Sequence, residues 1–147
     1  PQQLTEEALP ALMSRVDLVV DATDNYPVRF ALNRACIAAA VPLVSAAAVR
    51  SEGQITVFDP TRGGPCYRCL YPLTGEDTAL SCSESGVLAP VVGILGSMQA
   101  LEALKVLAGF GEPLLGKLLL LDLRNMDIRQ LSLPVRADCP DCGHLRR

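Results

Sequence analysis

Two cysteine pairs, Cys66-Tyr67-Arg68-Cys69 and Cys139-Pro140-Asp141-Cys142, limit what this chain can fold into more than any other feature of it. A two-residue gap lets both thiolates of a pair reach one ion at about 2.3 Å, and two such pairs complete a tetrahedral shell. The spacing therefore predicts a zinc site on Cys66, Cys69, Cys139 and Cys142. Four sulfurs leave no open position for water, so the site is expected to be structural, clamping the middle of the chain to its C-terminal tail. Two redox pairs or disulfides are the alternative, but a redox CxxC normally comes singly beside a βαβ entry. His144 is the only histidine; it is surplus to this shell and reads as a solvated tail residue.

The 147 residues are 50% hydrophobic and 20% charged, enough to bury one core, which predicts a single domain over 1–147. A net charge of −3 gives no electrostatic reason to bind nucleic acid or an anionic membrane. Residues 1–15 are polar and acidic, the wrong chemistry for a secretory signal, and no apolar run reaches about 18 residues uninterrupted. The expected compartment is the cytoplasm, where six cysteines speak for metal binding or thiol chemistry.

Residues 17–22 form a short apolar run expected to be a strand buried on both faces of a parallel sheet. Over 27–39 the period becomes helical, with Val28, Leu32, Cys36 and Ala39 on the apolar face and Arg29 and Asn33 on the other. Asp24 and Asn25 precede this helix as its cap. A second buried run at 42–49 completes a parallel strand–helix–strand unit, half of a doubly wound nucleotide-binding fold. Glu52-Gly53 reads as a turn, followed by an antiparallel strand at 55–58. Residues 60–86 show no period and read as a long mobile loop. A helix follows from about 90 to 107, with Met98, Leu101, Leu104 and Ala108 as an apolar stripe, Gln99, Glu102 and Lys105 as a polar one, and Gly93, Ser97 and Ala100 as a small-residue strip. Strands at 117–123 and 128–133 form a hairpin.

Asp21 and Asp24 fall at and just beyond the carboxyl end of the first strand, the edge where open α/β sheets bind ligands. A carboxylate there can hold the magnesium of a nucleotide triphosphate, or Asp24 can merely cap the next helix; spacing alone does not choose. Cys36, on the apolar helix face, reads as an inert core thiol.

Six segments taken together resemble the MoeB/ThiF/HesA family: Asp21-Ala22-Thr23-Asp24-Asn25, Val44-Ser45, 52–58, 65–69, 82–90 and 96–102, in register with the cysteine pairs. The resemblance runs from about 12 to 143. It implies an α/β, Rossmann-like ThiF-type fold, here its C-terminal part, with a parallel βαβ unit, a mixed sheet and a four-cysteine zinc clamp. It also implies a homodimer that adenylates the C-terminal Gly-Gly of a MoaD- or ThiS-like sulfur-carrier protein with ATP and magnesium. The family's magnesium-contacting aspartate falls on Asp24, its nucleotide-contacting asparagine on Asn25, its zinc ligands on the four knuckle cysteines and its thioester-forming thiol on Cys82, which MoeB-like members do not require. Ala46 departs from the glycine usual there. The family's first half, with its glycine-rich phosphate loop, has no counterpart before Asp17, so these residues alone are expected to be inactive. The alternative reading is a non-catalytic, zinc-stabilised binding or dimerisation module for a ubiquitin-like carrier.

Overall fold

A computed structural model describes residues 5–72 and 85–146. Five strands form one sheet in sequence order: β1 (Val19–Asp21), β2 (Leu43–Val49), β3 (Glu52–Phe58), β4 (Lys117–Asp122) and β5 (Asp127–Ser132). β1 and β2 are parallel; the rest is an antiparallel meander. This is the mixed sheet expected, with helix α2 (Tyr26–Ala39) as the crossover.

Alternation along the strands sends successive side chains to opposite cores. Leu43 and Phe58 pack under α2 with Phe30, Leu32 and Cys36. Val44, Ala46, Ile55 and Val57 pack under the long helix α4 (Ala89–Ala108) with Val91 and Leu95. A short helix α1 (Leu9–Met13) joins the α2 side, burying Leu9 and Met13 four residues apart. Each of those side chains contributes about 1.5–3 kcal/mol by leaving water. The sequence pattern predicts no element there.

Several expectations are corrected. β1 is not buried on both faces: it is the edge strand of the sheet, and Val20 is 46% exposed. The turn expected at Glu52-Gly53 lies instead at Arg50-Ser51, because Val49 pairs with Glu52 and Arg50 takes the left-handed φ of 54° that the reversal needs. Gly53 serves packing, not turning. A Cβ there would come within 2.5 Å of the Leu95 side chain. The loop expected over 60–86 holds an ordered helical turn, α3 (Tyr67–Leu70), which is anchored by burial of Cys66 and Tyr67.

The faces of α4 are reversed relative to the pattern. Gln99 and Glu102 are 5% exposed, while Leu101 and Leu104 are 51% and 55% exposed. Gln99 Nε2 donates to the carbonyls of Asp21 (2.8 Å) and Val44 (3.3 Å), and Glu102 Oε2 accepts from Leu114 N at 2.8 Å. Backbone groups at the sheet's end need partners, and that need outweighs the burial of two leucines. α4 has the length and composition to cross a membrane, yet these buried polar contacts mark it as a helix packed on a sheet. On α2, Arg29 and Asn33 are likewise buried rather than outward.

Candidate functional site

Cys66, at the N-terminal end of α3, and Cys69 one turn later share one buried cluster with Cys139 and Cys142 from the tail. The four sulfurs lie within 4.8 Å of one another. Neighbouring pairs stand 3.9 Å (Cys66–Cys69), 3.6 Å (Cys66–Cys139) and 3.6 Å (Cys69–Cys142) apart. A tetrahedron with 2.3 Å metal–sulfur bonds has edges of about 3.8 Å, whereas a disulfide is about 2.05 Å long. The arrangement fits a metal shell and not two disulfides. Each knuckle is shaped by its own backbone: Cys69 N donates to Cys66 O at 2.9 Å, and Gly143 N to Cys139 O at 2.8 Å. A Cβ on Gly143 would meet the Ala137 carbonyl at 2.7 Å, so only glycine closes the second knuckle. Burial pushes the Cys66 and Cys142 thiols up, Cys142 to about 11, so a thiolate at either of these two needs a cation to persist, whereas hydrogen bonds hold the Cys69 thiol down. His144 is exposed, outside the shell.

The second part of the site is the turn between β1 and α2. Asn25, not Asp24, caps α2, its side chain accepting from Val28 N at 3.0 Å. Asp24 is exposed, and its carboxylate is left for other work. Asn25 Oδ1 is committed to the helix, so a nucleotide would have to meet its Nδ2. Asp21 is structural: 1% exposed, it accepts from Thr23 N (2.9 Å), Thr23 Oγ1 (2.7 Å) and Ser45 Oγ (3.3 Å) and pairs with Arg29 Nε at 3.6 Å.

Asp24 stands where two cavities meet. One, of ≈630 Å³, lies over the open sheet face beyond α2, its floor formed by Ala47, Gln54 and Leu120 with Glu52 and Asp122, and its wall by Tyr71. The other, of ≈370 Å³, lies on the α4 side among Ala46, Ala48, Leu95 and Gly96. Beside the larger cavity Tyr26, Phe30, Phe58, Tyr67 and Tyr71 pack mostly edge to face with centroids 4.9–6.4 Å apart. Periodicity does not predict this aromatic wall, although Tyr26 and Phe30, and Tyr67 and Tyr71, each stand four apart in the sequence.

Residues 1–143 match the ThiF family. The chain belongs to that family. It is 51% identical over 140 residues to the molybdopterin-synthase adenylyltransferase of Escherichia coli K12, covering 95% of this chain and 56% of that protein. It is 46% identical over 144 residues to the adenylyltransferase and sulfurtransferase MOCS3 of Bos taurus, covering 97% of this chain and 31% of that one. The chain thus spans about half the length, or less, of these curated relatives. Among solved structures, E. coli MccB with MccA-N7isoASN has the same fold (TM-score 0.77, 19% identity, covering 97% of this chain and 45% of that chain), as does MccB with ATP (TM-score 0.75, 18% identity, 97% and 44%). The ThiF-type α/β fold expected from the sequence is therefore shown.

Within this ThiF-family chain the four cysteines come together, and Asp24 and Asn25 sit side by side at the sheet edge. Cys82 lies outside the described residues.

Proposed function

We propose that the full-length protein uses ATP to adenylate the C-terminal Gly-Gly of a MoaD- or ThiS-like sulfur-carrier protein, and that this chain is its zinc-clamped portion. The observation that carries the reading is Asp24: exposed at the carboxyl end of a parallel strand, relieved of capping by Asn25 and set where two cavities meet. The names of the relatives, adenylyltransferases both, support it.

A carboxylate is a poor acyl donor. Attack of the carrier's carboxylate oxygen on the α-phosphorus of ATP forms the acyl–phosphate bond of an adenylate and releases pyrophosphate, leaving a carbonyl that sulfur can enter. Asp24 fits a magnesium ion, which commonly takes one or two protein carboxylates together with substrate phosphates, and magnesium would supply charge neutralisation at those phosphates. Asn25 would contact the nucleotide through Nδ2. Cys66, Cys69, Cys139 and Cys142 would hold a structural zinc that fastens α3 to the tail. Cys82 would be a thiol able to capture the activated carrier without being needed to make the adenylate. A homodimer in the cytoplasm completes the proposal, with the outward Leu101, Leu104 and Leu107 of α4 offering an apolar surface to a second copy.

Carrier-dependent ATP–pyrophosphate exchange by the full-length protein tests the reading. Exchange is expected in the wild type, lost in Asp24→Ala and retained in Cys82→Ala, which should lose only a thiol-sensitive carrier adduct. The 147 residues alone should show none. Exchange that survives Asp24→Ala would place the nucleotide elsewhere.

A further inference from the structure

Asp24 sits in a four-residue connection, 22–25, between β1 and α2, and exposed connections of that kind seldom hold one side chain to a fixed position. This one is tied from below by a single buried guanidinium. Arg29, 7% exposed, reaches back from the first turn of α2: Nε donates to the Thr23 carbonyl at 3.2 Å, Nη2 donates to the same carbonyl, and Nη2 lies 3.4 Å from the Ala46 carbonyl on β2. Its Nε also stands 3.6 Å from Asp21 Oδ2, while the other oxygen of that carboxylate takes Thr23 N and Thr23 Oγ1. Both backbone groups of Thr23 are therefore held by two oppositely charged side chains that hold each other. The Thr23 carbonyl belongs to the peptide plane that leads into Asp24, so fixing it fixes the positions of Asp24 N and Cα. Arg29 also lines both cavities, as Asp24 does.

We infer that Arg29 is a positioning residue for Asp24: it strings the Thr23 and Ala46 carbonyls on one planar fork, so that the Asp24 carboxylate is presented ready-placed at the junction of the two cavities. This rests on the adenylation reading above. The guanidinium's other contacts explain why it must be arginine. Lysine would bring the same charge, but its donors radiate from one flexible point instead of a rigid planar fork whose Nε and Nη2 both meet the Thr23 carbonyl while reaching Asp21 on one side and Ala46 on the other. The buried pairing with Asp21 keeps the fork from swinging outward to solvent.

The test is Arg29→Lys and, separately, Asp24→Ala in the full-length protein, read by carrier-dependent ATP–pyrophosphate exchange across a magnesium series, with zinc content and cooperative unfolding followed in parallel. Displacing a reacting group by about 1 Å can cost on the order of 100-fold in rate. Arg29→Lys is expected to lower exchange by about 10- to 100-fold at low magnesium, to recover part of it as magnesium rises, and to leave zinc stoichiometry unchanged. A penalty from Arg29→Lys that is indifferent to magnesium, or that comes with loss of zinc or of cooperative unfolding, would make Arg29 a purely structural residue and overturn the inference. Should Arg29→Lys fail to fold, Arg29→Gln, which keeps one donor for Thr23, is read in the same way. If Asp24→Ala leaves exchange intact, the functional reading falls and this inference with it; if Asp24→Ala abolishes exchange and Arg29→Lys matches wild type, only the inference falls.

Discussion

Asn33 Nδ2 donates to Asp141 Oδ2 at 2.8 Å, joining helix α2 to the second cysteine knuckle across 108 positions of sequence, while Asn33 Oδ1 accepts from Tyr67 N in the first knuckle at 2.9 Å. One side chain, 1% exposed, thus braces both halves of the four-cysteine cluster from behind. This is the supporting contact that keeps a ligand set in register before the ion arrives.

Asn33→Ala leaves the buried Tyr67 N–H without an acceptor, which costs about 1–3 kcal/mol. The expected result is a melting temperature lowered by several degrees and a faster loss of metal to a competing chelator, with zinc stoichiometry at saturation unchanged. Thermal unfolding and a chelator-release time course measure the two. Wild-type values in both would show that the knuckles hold themselves.

The shell itself predicts one zinc per chain. Four thiolates at 3.6–3.9 Å spacings in a buried cluster should give roughly 10–16 kcal/mol of apparent binding free energy, most of it folding free energy of α3 and the tail. Elemental analysis of the reduced protein should return one equivalent, and Cys66→Ser should lose it. Because the ligands are thiolates, acidification should release zinc by protonating them. A folded, metal-free protein under reducing conditions would contradict the assignment.

Much of this architecture can be read from the chain, and what cannot shares a physical cause. Patterning locates β2, α2 and β4 because their apolar positions face real cores, and it finds the extents of α4 and β5 although Leu101, Leu104, Ile128 and Leu131 lie exposed. The cysteine spacing locates the four-sulfur cluster because knuckle geometry is local. Arg29, Asn33, Gln99 and Glu102 defeat the pattern, since each is polar, buried and explained only by a backbone group or charge that another element brings to it. The capping role falls to Asn25 instead of being shared with Asp24 for a related reason: spacing puts either near the first turn, and only the backbone decides which one accepts from Val28 N.

The reversed faces of α4 give a direct contrast. Glu102→Leu would look harmless from helical pattern alone, yet it strips the acceptor from Leu114 N, a residue 8% exposed, and should destabilise by about 1–3 kcal/mol. Leu104→Gln, at a position 55% exposed, should stay within about 0.5 kcal/mol in the isolated chain. Chemical denaturation of the two variants measures the difference. Equal effects would mean that Glu102 does not hold the 114 backbone.

Cys36 offers a pH test of the core. It is 4% exposed, packed with its sulfur 3.9 Å from Met13 Sδ, and burial, reinforced by the charge of Asp21, pushes its thiol from the ordinary 9.0 up to about 12. In the unfolded chain the thiol ionises near 9, while the folded chain keeps the proton until about 12. The raised value therefore contributes stability that is complete below pH 9 and is lost as pH climbs from 9 towards 12, at about 1.4 kcal/mol per pH unit. Cys36→Ala removes that dependence at the cost of some packing, so wild type should be the more stable at pH 7 and the gap should narrow steadily above pH 9. Other alkaline-sensitive groups, such as Tyr71, whose hydroxyl burial also pushes up, act on both proteins and cancel in the difference. In the same experiment iodoacetamide at about pH 8 should leave Cys36 unlabelled in the folded protein and label it once denatured. Parallel stability curves, or rapid labelling of folded protein, would mean that the thiol is open to solvent and that the α1–α2 contact does not seal it.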